Sequence, residues 1–266
     1  MAAVDMVVAT AVAQALAAAA AAAAAVVVDM VAVAAVAAVE VDMEQAAVAE
    51  RVAMVAGATG LVGREVLAAL LADKRYSAVH SVGRRTLTLQ HPKLTQHVVD
   101  FNALGQLPRV DDVYIALGTT IKVAGSQQAF RAIDYGAVVT LALATHRQGA
   151  THLGVVSAMG ADPGSGIFYN RVKGEMEEAL AKIGFTSLTI ARPAMLAGDR
   201  EQLDQPARSG EQVGLLLTKW LKPLIPANYR SIAAADVAQG LIAGVKQGKP
   251  GVTRLLSGDL QGAAAT

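Results

Sequence analysis

The 266-residue sequence has no cysteine, which excludes a disulfide scaffold, a thiolate-bound zinc or iron–sulfur site and a cysteine nucleophile. Aromatic residues make up only 4% of the chain, and its basic residues are dispersed rather than arranged in a stripe interleaved with aromatics. We therefore expect no nucleic-acid partner. The five histidines show no metal-ligand spacing, so we also expect no metal site.

Residues 1–50 lack lysine and arginine, although they carry six of the 22 acidic residues. This segment consists mostly of alanine and valine, and the tripeptide Val-Asp-Met occurs in it three times. It has neither the arginine and serine of a transit peptide nor the positive start of a secretory signal. We interpret it as a low-complexity extension outside the fold, and expect a cytoplasmic protein. A membrane anchor is the weaker alternative, because the apolar run at residues 7–28 is long enough to span a bilayer.

Residues 51–266 hold 23 basic and 16 acidic residues, and their number suits one domain. Short apolar runs alternate there with helical periodicity. Strands are predicted at residues 51–57, 79–83, 96–100, 113–117, 152–157, 187–191 and 252–256, and helices at 61–71, 126–147, 169–183, 211–220 and 235–246. This alternation predicts an α/β fold, a doubly wound, mostly parallel sheet with helices on both faces. Ligands of such sheets bind at the carboxyl ends of the strands.

Three glycines, Gly57, Gly60 and Gly63, lie three residues apart between the first predicted strand and the first helix. Glycines at such a junction allow a tight turn, bring backbone amides close to a pyrophosphate and let the helix pack closely on the strand. The turn therefore predicts a dinucleotide site. The alternative is a plain strand-to-helix turn that uses glycine only for packing.

Arg84 and Arg85 follow the second predicted strand, where an NAD site usually carries an acidic residue for the ribose 2′-hydroxyl. Guanidinium groups instead suit a 2′-phosphate, which they bind in a planar, bidentate manner. We therefore expect NADP(H) to be preferred over NAD(H). A solvated basic turn is the alternative.

A candidate catalytic group follows the fifth predicted strand. Ser157 ends that strand, and Tyr169 and Lys173 lie one helical turn apart on the next helix, so that both project from one face. A neighbouring ammonium favours the phenolate form of a tyrosine, and a serine hydroxyl can orient a carbonyl. The three residues are therefore candidates for proton transfer during a cofactor-dependent hydride transfer.

Together, the glycine turn, Ser157 and the Tyr169/Lys173 pair resemble the short-chain dehydrogenase/reductase superfamily. Residues 82–85, 116–120 and 156–161 are similar, more narrowly, to its atypical branch around the Tat-interacting-protein oxidoreductases. The resemblance covers about residues 52–257 and does not include the extension at residues 1–50.

The resemblance implies a Rossmann domain at residues 51–266 that binds NADP(H), with a small C-terminal substrate-side region. It implies catalytic roles for Ser157, Tyr169 and Lys173. The implied cofactor-binding residues are Gly57, Thr59, Gly60, Leu61, Val62, Gly63, Arg84, Arg85, Asp100, Phe101, Leu117, Gly118, Thr119, Tyr169, Lys173, Arg192 and Pro193. Asp100 and Phe101 would lie near the adenine, and Arg192 and Pro193 near the nicotinamide. One departure leaves the proton path open: Asp134 stands where many relatives place an asparagine.

The expected function is NADPH-dependent reduction of a small carbonyl substrate. One alternative is a regulatory or redox-sensing protein that binds NADP(H) with little turnover. Another is an epimerase or dehydratase acting on a nucleotide-linked sugar. The sequence leaves the oligomeric state open, with a homodimer as one alternative.

Overall fold

The apolar runs after residue 50 form strands and helices in a computed structural model that describes residues 51–197 and 227–265. The predicted extension at residues 1–50 and the predicted helix at 211–220 lie outside the described residues. The division of the chain at residue 50 therefore stays a prediction.

Seven strands form the central sheet, with the bounds β1 Arg51–Ala56, β2 Tyr76–Gly83, β3 Leu94–Val98, β4 Asp112–Ile115, β5 His152–Val156, β6 Ser187–Arg192 and β9 Gly251–Leu256. All of them pair in parallel, in the order β3-β2-β1-β4-β5-β6-β9. Two short strands, β7 Leu196–Ala197 and β8 Ile232–Ala233, pair with each other. The seven strands predicted from the sequence are all present, with bounds shifted by at most three residues. The predicted fold class is confirmed.

The described helices are α1 Leu61–Ala72, α2 Ile121–Ala124, α3 Gln127–Arg131, α4 Val138–Arg147, α5 Phe168–Ala181, α6 Ala234–Gln247 and α7 Ser257–Leu260. A π-helical segment, Ala132–Ala137, joins α3 to α4 where the sequence predicts one continuous helix. Short 3₁₀ helices lie at Ala227–Tyr229 and Ala263–Ala265. Within the described ranges, none of the helices has both the length and the apolar character that crossing a membrane requires.

The inner strands β1, β4, β5 and β6 are buried on both faces of the sheet, which explains why apolar residues predominate in them. Strand β1 shows the arrangement: Ala53 and Val55 pack into one hydrophobic cluster, whereas Met54 and Ala56 pack into the other. Helices α1 and α6 cover the first face, and α4 and α5 cover the second. The period of two along a strand therefore divides its side chains between two separate cores.

The strand order reverses at β1, which lies between β2 and β4. The chain leaves β1 for β2 on one side and returns through β4 on the other, so the connections diverge at the carboxyl end of β1. This divergence opens a crevice at that edge of the sheet, where ligands of doubly wound folds bind.

A buried charge network holds the opposite edge of the sheet together. Asp112, at the start of β4, is 2% exposed and accepts hydrogen bonds from Arg51 Nε at 2.8 Å and Tyr76 Oη at 2.7 Å. Arg51 Nη2 also lies 2.7 Å from Nδ1 of His152, and Tyr76 Oη lies 2.9 Å from Tyr114 Oη. Burial, reinforced by the Asp112 charge, raises the pKa of Tyr76 and keeps its phenol neutral. The network thus joins the starts of β1, β2, β4 and β5.

We predict that Asp112→Ala lowers the free energy of unfolding by roughly 3–5 kcal/mol, because it leaves a guanidinium and a buried phenol without their acceptor. Urea denaturation measures this change as a lower midpoint at unchanged slope. The matched control is Glu65→Ala, which removes a carboxylate from a partly exposed pair with Arg64. The control should cost less than about 1 kcal/mol. Equal losses in the two variants would contradict a structural role for the network.

Candidate functional site

A crevice of about 780 Å³ lies at the carboxyl ends of β1, β2, β4 and β5. Most of the residues predicted from the sequence to bind a cofactor or act in catalysis line it. They are Gly57, Thr59, Gly60, Leu61, Val62, Arg84, Arg85, Asp100, Phe101, Leu117, Gly118, Thr119, Ser157, Tyr169, Lys173 and Pro193. The crevice therefore brings together segments that are more than 130 residues apart in the chain.

The glycine turn leaves no space for side chains at its first position. Gly57 has a φ of +89°, and a Cβ there would lie 2.5 Å from the Ala116 carbonyl oxygen. The Gly60 amide donates to the Gly57 carbonyl at 2.9 Å and closes the turn. The backbone itself therefore forms the floor of this part of the crevice.

The resemblance counts Gly63 among the cofactor-binding residues, but Gly63 is not among the residues that line the crevice. A Cβ on Gly63 would lie 2.1 Å from the Gly57 carbonyl oxygen. Because glycine has no side chain, α1 can begin in direct contact with the turn. Its role is helix packing behind the turn, and it makes no part of the crevice surface.

The start of α1 suits an anionic group. Gly60 at the N-cap has no side chain to cap the helix, and the first turn contains no acidic residue. Amides at a helix N-terminus have no intrahelical acceptors and carry partial positive charge. With the bare backbone of Gly57 beside them, these amides fit a pyrophosphate, as the P-loop and dinucleotide-binding turns do. The residues present therefore fit a dinucleotide cofactor.

The far end of the crevice carries the two predicted arginines. Arg84 and Arg85 directly follow β2 and are exposed at the crevice wall. Neither guanidinium takes part in an ion pair within residues 51–197 and 227–265. Asp100 and Phe101, which follow β3, line the same end. The arrangement leaves both guanidinium groups available to a ligand.

Lys173 forms a buried ion pair with Asp134 in the wall of the crevice. Lys173 Nζ lies 2.8 Å from Asp134 Oδ1, and the two side chains are 4% and 1% exposed. The other carboxylate oxygen of Asp134 accepts the Thr119 amide at 2.9 Å. Burial disfavours the ammonium, but Asp134, supported by Tyr169 and Glu177, outweighs this and raises the pKa of Lys173. Lys173 is therefore a fixed cation.

The π-helical segment places Asp134 at this position. Such segments widen a helix by one residue per turn, and they are frequent at functional sites. The sequence identified Asp134 as a departure from its relatives, but only the structure shows that its carboxylate contacts both Lys173 and the loop after β4.

Glu177 is a residue of this region that the sequence analysis missed. It is 2% exposed and accepts the Ser157 hydroxyl at 2.6 Å. Arg192 donates to the same carboxylate through Nε at 3.0 Å and Nη2 at 2.6 Å, and Arg254 lies at 3.4 Å. One signal was available, since Glu177 follows Lys173 by four residues and so shares its helix face.

The position of Arg192 differs from the expectation, since the resemblance puts this residue near the nicotinamide. Its guanidinium is directed at Glu177, and it is not among the residues that line the crevice. Pro193, the next residue, does line it. The buried carboxylate attracts the guanidinium because a bidentate pair satisfies both charges.

Tyr169 lies in the first turn of α5 and is half-buried. The centre of its ring is 5.4 Å from that of the fully buried Phe130. This aromatic contact restricts the phenol to the crevice side of the helix, where Lys173 also lies. The predicted pair thus shares one wall of the site.

No family model matches the chain. Curated relatives do match. The protein FMP52, mitochondrial, of Candida albicans is 30% identical over 195 residues, which are 70% of this chain and 83% of the relative. The protein of the same name from Meyerozyma guilliermondii is 34% identical over 197 residues, which are 71% and 85% of the two chains. Protein HTATIP2 of Rattus norvegicus is 32% identical over 164 residues, 59% of this chain and 66% of the relative.

FMP52 and HTATIP2 represent a family of atypical short-chain dehydrogenases/reductases. This chain belongs to that family. The resemblance found in its motifs is confirmed.

Solved structures with the same fold include short-chain dehydrogenases and sugar-nucleotide epimerases. MoeE5 in complex with UDP-glucuronic acid and NAD superposes with a TM-score of 0.59 at 17% identity, covering 77% of this chain and 75% of that one. A short-chain dehydrogenase family protein from Francisella tularensis gives 0.56 at 15% identity, covering 79% and 99%. At these identities the likeness shows the fold alone, a doubly wound Rossmann-type sheet.

The predicted cytoplasmic location is wrong. Relatives of this short-chain dehydrogenase/reductase from several fungi are named mitochondrial proteins. The prediction rested on the absence of arginine and serine from residues 1–50. That composition describes one type of targeting segment and does not identify a compartment.

We predict that Gly63→Ala abolishes nucleotide binding, because a methyl group 2.1 Å from the Gly57 carbonyl must push α1 away from the turn. Isothermal titration calorimetry with NADPH, together with a thermal melt, measures the effect. Gly105→Ala is the matched control, since a Cβ at Gly105 meets no atom within 4 Å. Unchanged affinity in the Gly63 variant would contradict the close packing of helix and turn.

Proposed function

We propose that this protein is an NADPH-dependent reductase of a small carbonyl substrate. One observation carries the proposal: Tyr169 and Lys173, one turn apart on α5, line the same crevice as the glycine turn that follows β1. This supports the proposal, because a candidate proton donor and a turn that fits a dinucleotide line one crevice. The relatives named mitochondrial support a mitochondrial location for the reaction.

The cofactor would lie across the carboxyl edge of the sheet. The amides around Gly57 and Gly60 would hold its pyrophosphate, and Arg84 and Arg85 its 2′-phosphate. When bound, the nicotinamide supplies a hydride to the carbonyl carbon. Lys173, with donors left over after its contact with Asp134, would hold the ribose hydroxyls at the crevice wall.

Tyr169 supplies the proton in this proposal. As the carbonyl carbon gains a hydride, its oxygen takes the phenol proton, and an alcohol forms while Tyr169 becomes a phenolate. The fixed positive charge of Lys173 stabilises that phenolate. The phenolate then takes a proton from water in the open crevice and becomes a phenol again.

Ser157 has one hydroxyl proton, and in this structure it is donated to Glu177. To hold the substrate oxygen as a donor, the hydroxyl has to turn away from that carboxylate. Glu177 retains Arg192 as its partner during this change, so its charge stays compensated. In the proposal, substrate binding therefore includes a switch of the Ser157 hydrogen bond.

A second candidate function is a cofactor-binding regulatory protein with little turnover. The contacts of two candidate catalytic groups favour it, because Ser157 is bound to Glu177 and Lys173 to Asp134. A protein that only binds NADP(H) would lose nothing through such contacts. Turnover separates the two candidates.

We predict that Tyr169→Phe lowers the turnover of a carbonyl substrate with NADPH by about 100-fold or more, since the proton donor is lost. NADPH affinity should stay within about twofold, because the phenyl ring keeps its packing. A panel of aldehydes and ketones, followed by NADPH absorbance, measures turnover. Tyr229→Phe, at a tyrosine that is 67% exposed, is the control. Tight NADPH binding by the wild type without turnover of any substrate would support the regulatory protein instead.

We predict that the double variant Arg84→Ala/Arg85→Ala weakens NADPH binding by about tenfold or more, because charge-assisted hydrogen bonds to the 2′-phosphate are lost. NADH affinity should not change, since NADH lacks that phosphate. Lys74→Ala is the matched control, because it removes an exposed positive charge at the opposite end of β2. Equal affinity of the wild type for NADH and NADPH would overturn the cofactor preference.

A further inference from the structure

Two exposed apolar side chains line the crevice at the end away from Arg84 and Arg85. Met195, after β6, is 50% exposed, and Val123, in α2 after β4, is 60% exposed. Both belong to the residues that line the crevice. Single exposed apolar side chains are common on protein surfaces, but a cluster of them in a crevice indicates a place where apolar atoms of a ligand are removed from water.

Backbone hydrogen bonds bring the segment after β6 directly beside Ser157. The Ser157 amide donates to the Ala191 carbonyl at 2.8 Å, and the Met159 amide donates to the Pro193 carbonyl at 2.9 Å. The two segments therefore stay paired beyond the end of β5. In the sheet, β5 lies between β4 and β6. The segments that follow β4 and β6 thus flank Ser157 on its two sides.

Both apolar side chains extend from backbone that hydrogen bonds hold in place. The Ile232 amide donates to the Met195 carbonyl at 3.0 Å, and the residue after Met195 pairs with β8. The Val123 amide donates to the Thr120 side-chain oxygen at 3.1 Å, which caps α2. A ligand therefore meets these side chains in fixed positions, and its binding does not have to order the backbone that carries them.

The charges of the crevice lie mostly elsewhere. Among the described residues, the charged ones that line the crevice are Arg84, Arg85, Asp100, Lys122, Asp134 and Lys173. The first three follow β2 and β3 at the opposite end, and the last two are paired with each other. Lys122 is exposed and precedes Val123 in α2. The lining at residues 193–196, after β6, is wholly apolar. An alkyl or aromatic group therefore finds more contacts at this end than a diphosphate would.

We propose that the substrate is an aldehyde or ketone with an apolar body, which binds between Met195 and Val123 while its carbonyl group meets Ser157 and Tyr169. We call the place formed by Met195 and Val123 the apolar subsite. This proposal rests on the proposed reductase function and adds the substrate class to it. Its physical basis is the hydrophobic effect, because each methylene that enters the subsite leaves water. The flexible thioether of Met195 adapts to ligands of different shape.

Unbranched aldehydes from propanal to octanal test the substrate class, with NADPH absorbance as the measurement. We expect kcat/KM to rise by about fourfold per added methylene until the subsite is filled. Glyceraldehyde and succinic semialdehyde are the polar controls, matched in carbon number to propanal and butanal. Each should be a poorer substrate than its apolar counterpart. A preference for succinic semialdehyde would overturn the proposal and assign this end of the crevice to a carboxylate beside Lys122.

The double variant Met195→Gln/Val123→Thr keeps the approximate size of both side chains and makes them polar. Because an amide and a hydroxyl then lose water against an alkyl chain, octanal should lose about tenfold more of its kcat/KM than propanal does. Leu89→Gln is the matched control, since Leu89 is 43% exposed and is not among the residues that line the crevice. It should leave the dependence on chain length unchanged. NADPH titrations and thermal melts of both variants separate this effect from damage to the cofactor site or the fold.

Binding of primary alcohols from propanol to octanol to the NADPH complex, measured by calorimetry, needs no turnover. Their affinity should also rise by about fourfold per methylene, and the rise should shrink in the double variant. If the alcohols behave in this way but no aldehyde is reduced, the reductase function is wrong and the apolar subsite stands. If aldehydes are reduced with no dependence on chain length, or if Leu89→Gln weakens that dependence as much as the double variant does, the subsite is wrong and the reductase function stands.

Discussion

The close approach of backbone segments around Gly57 is the constraint on which the site depends. On one side Gly57 faces the Ala116 carbonyl, and on the other its own carbonyl oxygen lies where a Cβ of Gly63 would be. These contacts fix the distance between β1, β4 and the start of α1. The free amides of that helix therefore point into the crevice that the reversal of strand order opens.

Two buried carboxylates organise the opposite wall of the crevice. Asp134 compensates Lys173, and Glu177 compensates Arg192 while it accepts the Ser157 hydroxyl. Removing charges from water is costly, and close pairing is what makes it tolerable. The pairs hold each cation in one position, which is what a site for ordered proton transfer requires.

Much of the fold and of the site could be predicted from the sequence, because both rest on local patterns. Apolar periodicity gave the seven strands of the sheet, and the spacing of Tyr169 and Lys173 gave their common helix face. The interruption of the predicted helix at residues 126–147 by a π-helical segment had no such pattern. No local pattern indicated the hydrogen bonds between Arg192 and Glu177 either. These residues are 15 positions apart and come into contact only because β6 packs beside α5.

The order of apolar runs and glycines in the chain determined the doubly wound sheet, the turn after β1 and the helix that carries Tyr169. Those features depend on neighbours within a few residues, which a sequence displays directly. Only the tertiary structure decided how the charges of the crevice wall are paired. Asp134 and Lys173 are 39 positions apart in the chain, and the fold buries them and brings them to 2.8 Å from each other. Pairing energy depends on distance and on the exclusion of water, and only the folded chain sets these two quantities.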